Sequence, residues 1–203
     1  MKEFWNARYG SGEYIYGTDP NVFFSKEIQK LKPGKALFPA EGEGRNAVFG
    51  AGCGWEVKAF DQSEEGKKKA LQLALLKGVE IEYAVTSLEE FEAAEESFDA
   101  LVLIFAHFPA GVRKEFHQKL AAMLKPGGIL ILEGFSKQHL EFNSKNPQAG
   151  GPKDLGMLFS EEELQDDFSG FRIQFLEERI VNLNEGEFHS GESAVVRLVA
   201  EKK

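Results

Sequence analysis

From Lys35 onward the chain alternates short apolar runs with segments of helical period, and no other feature restricts its possible folds so strongly. The runs are Lys35 to Phe38, Glu56 to Phe60, Glu80 to Val85, Ala100 to Phe105 and Ile129 to Glu133. Strand-like runs alternating with helical segments are the pattern of βαβ units, so the chain is expected to form a doubly wound α/β fold around a mainly parallel sheet. The helical segments carry their own stops. Ser63 is placed to cap a helix bearing Ala70, Leu71, Ala74 and Leu75, and Gly78 to end it in a left-handed turn. Pro109 opens a helix with Val112, Phe116, Leu120 and Leu124 on one face, which stops at Lys125-Pro126-Gly127-Gly128 and feeds the next strand. Ser160-Glu161-Glu162-Glu163 has the form of a capping box.

Two regions depart from the alternation. Before the first strand, Asp19-Pro20 is expected to start a helix bearing Phe24, Ile28 and Leu31, preceded by an aromatic-rich arm from Phe4 to Tyr16. After the last parallel strand, Gly134 to Gly156 forms a long connection rich in Gly, Asn, Gln and Pro, and long ordered connections in compact domains are often functional. Both are candidates to cover a site. The chain ends in two further strands, roughly Phe171 to Leu183 and Ala194 to Ala200, joined through residues 184–191.

At 203 residues and 42% hydrophobic content the chain suits a single domain over 1–203, with 1–34 as an arm and helix over the site. One cysteine, Cys53, excludes an intramolecular disulfide, and no targeting segment or apolar run of bilayer length is visible, so a cytoplasmic enzyme without membrane contact is expected. With 33 acidic residues against 24 basic ones, scattered rather than striped, the net charge of −9 opposes polyanions. A small molecule is the expected partner rather than nucleic acid. The sequence leaves the oligomeric state open.

The chemistry-bearing motif follows the first strand. In Ala40-Glu41-Gly42-Glu43-Gly44-Arg45-Asn46-Ala47, Gly42 and Gly44 tolerate positive φ and leave the backbone open to a ligand, and the following helix offers free N–H groups. Gly42-x-Gly44-x-x-Ala47 also satisfies the dinucleotide fingerprint, with Asp61 about 20 residues downstream at the end of the second strand. A carboxylate there accepts hydrogen bonds from ribose hydroxyls, or else merely caps the next helix. Pro39 removes a ladder donor and is expected to end the first strand early. Gly52-Cys53-Gly54 imitates a glycine motif but falls after the helix, where a turn into the second strand is expected.

Glu41 to Ala47, Ala59-Phe60-Asp61-Gln62-Ser63, Phe98-Asp99-Ala100-Leu101-Val102 and Leu124-Lys125-Pro126-Gly127-Gly128 together resemble the successive motifs of class I S-adenosylmethionine-dependent methyltransferases. The opening Trp5-Asn6-Ala7-Arg8-Tyr9, followed by Tyr16-Gly17-Thr18-Asp19-Pro20-Asn21, is similar to the tellurite-resistance (TehB-like) and thiopurine methyltransferase branch. The resemblance implies a Rossmann-like, seven-stranded sheet with one antiparallel strand, the last strand inserting between the fifth and sixth. It also implies S-adenosyl-L-methionine as cofactor. Gly42 and Gly44, with Arg45 beside them, would approach its methionine and ribose portions. Asp61 would bind the ribose, with Gln62 and Ser63 beside the adenine. Thr86, Ser87 and Leu88 would contact the adenine ring, and Ile104 and Phe105 would pass nearest the sulfonium. The family's usual acidic residue at the end of the first strand is missing here, where Phe38-Pro39-Ala40 stands, and Glu41 is the available substitute for holding the methionine amino group. Trp5, Arg8 and Tyr16 are placed to close over the cofactor, Arg8 toward its carboxylate.

Methyl transfer from a sulfonium needs mainly positioning, and a base only where the acceptor must lose a proton. His107, just past the fourth strand, and His189, in the loop after the sixth, are the catalytic candidates, though His107 can equally pack under the Pro109 helix. No zinc-like spacing links His107, His117, His139, His189 and Cys53, so no metal is expected. Three functions fit: methyl transfer to a thiol, selenol, metalloid oxyanion or amine; an NAD-dependent oxidoreductase, which the fingerprint alone suggests; and a cofactor-binding module without catalysis.

Overall fold

Seven strands lie in one sheet in the order β3-β2-β1-β4-β5-β7-β6 in the computed structural model, which describes residues 2–10 and 12–203. They are β1 (Lys35–Pro39), β2 (Glu56–Asp61), β3 (Glu82–Val85), β4 (Phe98–Ile104), β5 (Leu124–Phe135), β6 (Phe171–Asn184) and β7 (Ser190–Lys202). β1 to β5 pair in parallel, and β7 inserts antiparallel between β5 and β6. The helices are α1 (Lys2–Tyr9), α2 (Val22–Ile28), α3 (Arg45–Gly52), α4 (Glu64–Lys77), α5 (Ala110–Met123), α6 (His139–Lys145) and α7 (Glu161–Asp167). The fold is thus the doubly wound, Rossmann-like α/β architecture that the alternation predicts.

The period of two in the strands decides which helix covers which face. Leu37, Leu101, Leu103, Leu130 and Leu132 point to the side where Phe116, Leu120 and Met123 of α5 and Leu164 of α7 join them. Their neighbours Ala36, Phe38, Ala100, Val102 and Ile131 point the other way, onto Phe24 and Ile28 of α2, Ala47 of α3 and Ala70 of α4. Each fully buried Leu or Phe contributes about 1.5–3 kcal/mol. Strand progression reverses between β1 and β4, and at such a point the loops at the carboxyl ends diverge and leave a crevice.

Local signals set most boundaries. Ser63 accepts from Gly66 N at 3.0 Å to cap α4, Gly78 ends it at φ 68°, and the Ser160–Glu163 capping box starts α7. Several expectations need correction. β1 does not stop short of Pro39: it runs to Pro39 opposite Phe60, because β4 pairs only with Ala36 and Leu37 and asks no N–H of the proline. The cap of α2 is Asn21, whose side chain accepts from Phe24 N, rather than Asp19-Pro20. Pro109 is the N-cap of α5, one position before the first turn. The Lys125 to Gly128 turn is absorbed into β5 as a register shift between Phe98 and Ala100 of the partner strand. The Gly134 to Gly156 connection carries α6 and a short 3-10 turn at Pro147–Ala149, both packed along β7.

Candidate active site

The carboxyl end of β1 leads into a loop that takes the left-handed conformation three times, at Ala40 (φ 51°), Gly42 (φ 61°) and Gly44 (φ 86°). Left-handed backbone is costly for a residue with a Cβ, so Ala40 carries strain that the surrounding contacts hold in place. Glu41 turns its carboxylate into the start of α3: its Oε1 accepts from Asn46 N at 2.9 Å and Ala47 N at 2.8 Å. Burial raises the pKa of Glu41 to about 7, opposed by those two bonds and by Arg45. The main chain of Gly42 is held on both sides, its N–H donating to Asp61 Oδ2 at 3.2 Å and its carbonyl accepting from Tyr83 Oη at 2.6 Å. A Cβ on Gly42 would stand 2.6 Å from Tyr9 Oη.

Gly44 has a different constraint. A Cβ there would overlap the side chain of Ala70 and stand 2.7 Å from its Cα, so the glycine lets α3 and α4 approach each other. The expectation that Gly44 opens the backbone to the ligand is corrected to helix packing. Arg45 also faces elsewhere than expected: its guanidinium donates to Glu185 Oε2 at 2.7 Å and to the Asp19 carbonyl at 3.4 Å.

Asp61 ends β2 with its carboxylate almost enclosed. Its Oδ1 accepts from Ser63 N at 2.8 Å while Oδ2 takes Gly42 N, and burial lifts its pKa to about 6 against these bonds. Ser63 Oγ donates to Asn6 Oδ1 of the arm at 2.7 Å as well as capping α4. Gln62, Thr86 and Ser87 are half-buried at the same sheet edge, and Thr86 N donates to the Asp61 carbonyl at 3.0 Å. Leu88, expected at the adenine, is instead buried in the core with Phe91 and Phe98, since the chain turns inward after Ser87. Ile104 ends β4 half-buried, and just beyond it Phe105 holds a left-handed φ of 53° while its N–H donates to the Glu133 carbonyl at 2.7 Å.

The arm is a helix laid over this loop. Trp5 stacks on Tyr9 at 5.3 Å, and the buried Tyr9 ring reaches Gly42. Arg8 donates to Tyr16 Oη at 3.1 Å and lies 4.6 Å from the ring centres of Phe4 and Phe188. Tyr16 N donates to Glu43 Oε2 at 3.3 Å, and Glu43 pairs with the buried Lys69 at 2.8 Å. Trp5, Arg8 and Tyr16 therefore lie near the loop, and the closest approach belongs to Tyr9. Sequence reasoning overlooked Tyr9, Tyr83 and Asn6. The four-residue spacing from Trp5 to Tyr9 was the available signal, since in a helix it puts both rings on one face.

Past β4 and β5 lie the histidines. His107 has both ring nitrogens in use: Nδ1 lies 2.8 Å from the Met157 carbonyl and Nε2 accepts from Phe135 N at 3.1 Å. Burial depresses its pKa to about 3. This neutral, doubly bonded imidazole ties the segment around Met157 to β5, and its catalytic candidacy gives way to that role. His189 is buried against Tyr16, Phe105 and Phe135, with ring centres 4.5, 4.3 and 5.2 Å away. Beside it a cleft of about 390 Å³ is lined by Asp19, Asn21, Arg45, Glu133, Glu185 and Arg197 among others. Asn21 Nδ2 bridges Glu133 Oε1 at 2.6 Å and Glu185 Oε1 at 3.0 Å, and Arg197 pairs with Glu133. Among the described residues no group of three His, Cys, Asp or Glu side chains is placed to hold a metal, and no helix is long and apolar enough to cross a membrane.

Residues 39–128 match the family described as "Methyltransferase domain", a stretch that spans the glycine loop, Asp61, β3, β4 and the start of β5. No curated protein matches the chain in sequence. Among solved structures, one described under the conversion of a disulfide bond into a thioacetal group during echinomycin biosynthesis superposes with a TM-score of 0.81 at 20% identity, covering 100% of this chain and 92% of that one. TehB from Haemophilus influenzae superposes at 0.72 and 15% identity, over 100% and 67% of the two chains. Magnesium protoporphyrin IX methyltransferase from Synechocystis PCC 6803, with bound SAH, superposes at 0.70 and 17% identity, over 100% and 98%. Residues 39–128 thus match a methyltransferase domain within a chain that takes the fold of these structures over its whole length, and a domain of this kind implies S-adenosylmethionine as cofactor.

Proposed function

We propose that the protein transfers a methyl group from S-adenosylmethionine to a small-molecule nucleophile, with the cofactor along the carboxyl ends of β1, β2 and β3. The observation that carries this reading is the carboxylate of Glu41 seated on the N–H groups of Asn46 and Ala47. In a nicotinamide enzyme those N–H groups receive a pyrophosphate. Here they are filled from within, and Glu41, Glu43 and Asp61 make the loop acidic. Such a cradle repels a pyrophosphate and suits a ligand bearing an ammonium and a sulfonium. The same observation disfavours the dinucleotide alternative.

Asp61 would hold the ribose hydroxyls, and Glu41 with the Gly42 main chain would hold the amino-acid portion. Gln62, Ser63, Thr86 and Ser87 would border the adenine, and Ile104 and Phe105 the reactive methyl. Tyr9, Trp5, Arg8 and Tyr16 would close over it and exclude water. Bound there, the cofactor supplies a methyl already activated on a sulfonium, whose departure as a neutral thioether needs no acid. What the chain adds is alignment, which lowers the barrier by removing translational and rotational freedom before reaction. The helical arm over the loop and the likeness to Haemophilus TehB support the TehB-like and thiopurine methyltransferase branch within this class.

Calorimetry with S-adenosylmethionine, its demethylated product and NAD tests the reading. Saturable binding of the first two with none of NAD is expected, and preferential binding of NAD would overturn it. A screen of small thiols, selenols, metalloid oxyanions and amines, read by release of demethylated cofactor, separates an enzyme from a binding module.

A further inference from the structure

Five polar side chains from distant parts of the chain meet in the cleft beside Tyr16. Glu133 near the end of β5 and Asn21 before α2 are enclosed, Arg45 and Glu185 are buried with them, and the Arg197 side chain on β7 is 15% exposed. A buried ion pair usually loses more in desolvation than apolar packing of the same volume would. Two of them side by side, Arg45 with Glu185 and Arg197 with Glu133, are a poor solution to packing alone.

The hydrogen bonds of this cluster leave donors over. Each carboxylate oxygen already accepts one: Glu133 Oε1 and Glu185 Oε1 from Asn21 Nδ2, Glu133 Oε2 from Arg197 Nε, and Glu185 Oε2 from Arg45 Nη2. Both hydrogens of the Asn21 amide are thereby used, and its oxygen accepts from Phe24 N. Arg197 uses only Nε. Its two Nη atoms make no hydrogen bond to any described residue, and neither is sealed in the interior. The guanidinium is held in one orientation by Glu133 and by the Phe23 ring, whose centre is 4.9 Å away, so a planar fork of N–H donors stands ready on a residue that lines the cleft. At about 390 Å³ the cleft has the size of an ordinary small-ligand site, and Pro20, Val22, Val181 and Leu183 give it apolar walls. Each arginine is offset by a glutamate and Asp19 is exposed beside them, so the cluster carries no surplus positive charge. What it offers is directed donors. A carboxylate matches that fork with two parallel bonds, whereas a dianion such as phosphate calls for surplus charge that is not there.

We propose that this cleft binds a small carboxylic acid with an apolar body, its carboxylate bidentate on Arg197, and that the molecule carrying this carboxylate is the methyl acceptor. The second clause rests on the methyl-transfer reading above; the first does not. The link between them is the register of the sheet. Glu133 lies opposite Ile104 in the β4–β5 pairing, and neighbouring strands stand about 4.8 Å apart, so the cleft begins one strand away from the place given to the reactive methyl. Tyr16, which lines the cleft, belongs to the arm that covers the glycine loop, and Arg45 directly follows that loop. Arg197 determines which acceptor is held and takes no part in bond making.

Benzoate and benzamide, alike in shape and different in charge, test this on the full chain. Titrated into nitrogen-15-labelled protein, benzoate should shift the amide signals of residues 18–21, 182–186 and 196–198 and bind about 10-fold or more tightly than benzamide. Equal affinities, or shifts confined to other residues, would overturn the site. Inorganic phosphate should bind more weakly than benzoate, and the reverse order would overturn the choice of a carboxylate. Arg197→Lys leaves a cation for Glu133 but removes the fork, so it should weaken benzoate by about 10-fold or more with the thermal midpoint nearly kept. Glu133→Gln combined with Arg197→Gln leaves neither charge buried alone and should lose benzoate in the same way. Native affinity in either folded variant would overturn the role of Arg197. S-adenosylhomocysteine then separates the two clauses. An acceptor site beside the cofactor binds benzoate in the S-adenosylhomocysteine complex at least as tightly as in the free protein, and mutual exclusion of the two would overturn the acceptor assignment. Failure of S-adenosylhomocysteine to bind at all would instead overturn the methyl-transfer reading, while benzoate binding, measured without it, still decides the cleft.

Discussion

Gly44→Ala isolates what the glycine loop asks of its second glycine. The new Cβ would overlap Ala70 on α4, and the residue would have to hold φ 86°. Left-handed backbone costs a residue with a Cβ about 1–2 kcal/mol, and overpacking of a buried contact about 1–3 kcal/mol. The variant should therefore lose about 2–5 kcal/mol of stability, a large part of what a domain of this size has. Urea unfolding would report it as a lower midpoint with an unchanged slope. Ala70→Gly provides the control. Alone it costs about 1 kcal/mol as a glycine inside a helix, but with Gly44→Ala it removes the overlap, so the pair should be about 1–3 kcal/mol more stable than the sum of single effects predicts. Calorimetry on the double variant completes the argument, since a glycine needed only for packing leaves cofactor affinity close to native once packing is restored. Additive stabilities, or a stable double variant that has lost the cofactor, would refute the assignment of Gly44 to the α3–α4 contact.

Asp61→Asn keeps the shape of the buried side chain and removes its charge, so it should weaken S-adenosylmethionine binding about 10- to 100-fold, the loss of about 1.5–3 kcal/mol from a charged hydrogen bond. Native affinity in the folded variant would remove Asp61 from the ribose. Glu41 and Asp61 hold protons up to about pH 7 and 6, so their contribution to stability is lost as pH rises from about 4 to 7, while the depressed His107 and His189 contribute stability that grows over the same window; Glu41→Gln, which removes one falling contribution, should make stability rise more steeply with pH, and an unchanged pH profile would contradict the raised carboxyl. A cationic cofactor favours the ionised forms of Glu41 and Asp61, so binding near pH 6.5 should release protons, measurable as a calorimetric enthalpy that depends on the buffer; buffer-independent heat would contradict this. Hydrogen exchange in residues 5–16 should slow on addition of cofactor, and removal of residues 1–16 should lower turnover strongly with the sheet intact, whereas full activity of the trimmed chain would reduce the arm to packing.

The sheet was legible because its determinants are local. Periodicity, Ser63, Gly78 and the Ser160–Glu163 box each act within a few residues, and the structure follows them. The place of Asp61, at a strand end beside the glycine turn, was legible for the same reason. What stayed hidden depends on residues far apart in the chain. Nothing near Gly44 announces Ala70, nothing near Arg45 announces Glu185 140 residues later, and Leu88 looks like a loop residue until Phe91 and Phe98 pull it inward. His107 occupied the right place in the sequence, but only the backbone of Met157 and Phe135 shows that its nitrogens are taken. The helix within the arm stayed hidden for another reason: eight residues, mostly polar or aromatic, make a poor helix alone, and α1 forms where it packs on α4.

The ion pair between Arg45 and Glu185 joins the glycine loop to the turn after β6, two segments that the chain builds separately. Arg45 is the first residue of α3, directly after the glycine loop, while Glu185 begins the turn that carries His189. On the proposed reading the loop holds the methyl donor, so any shift of the loop on binding it also alters the free energy of the turn. Linkage then runs both ways: whatever factor the methyl donor adds to the affinity for the acceptor, the acceptor must add to the affinity for the donor.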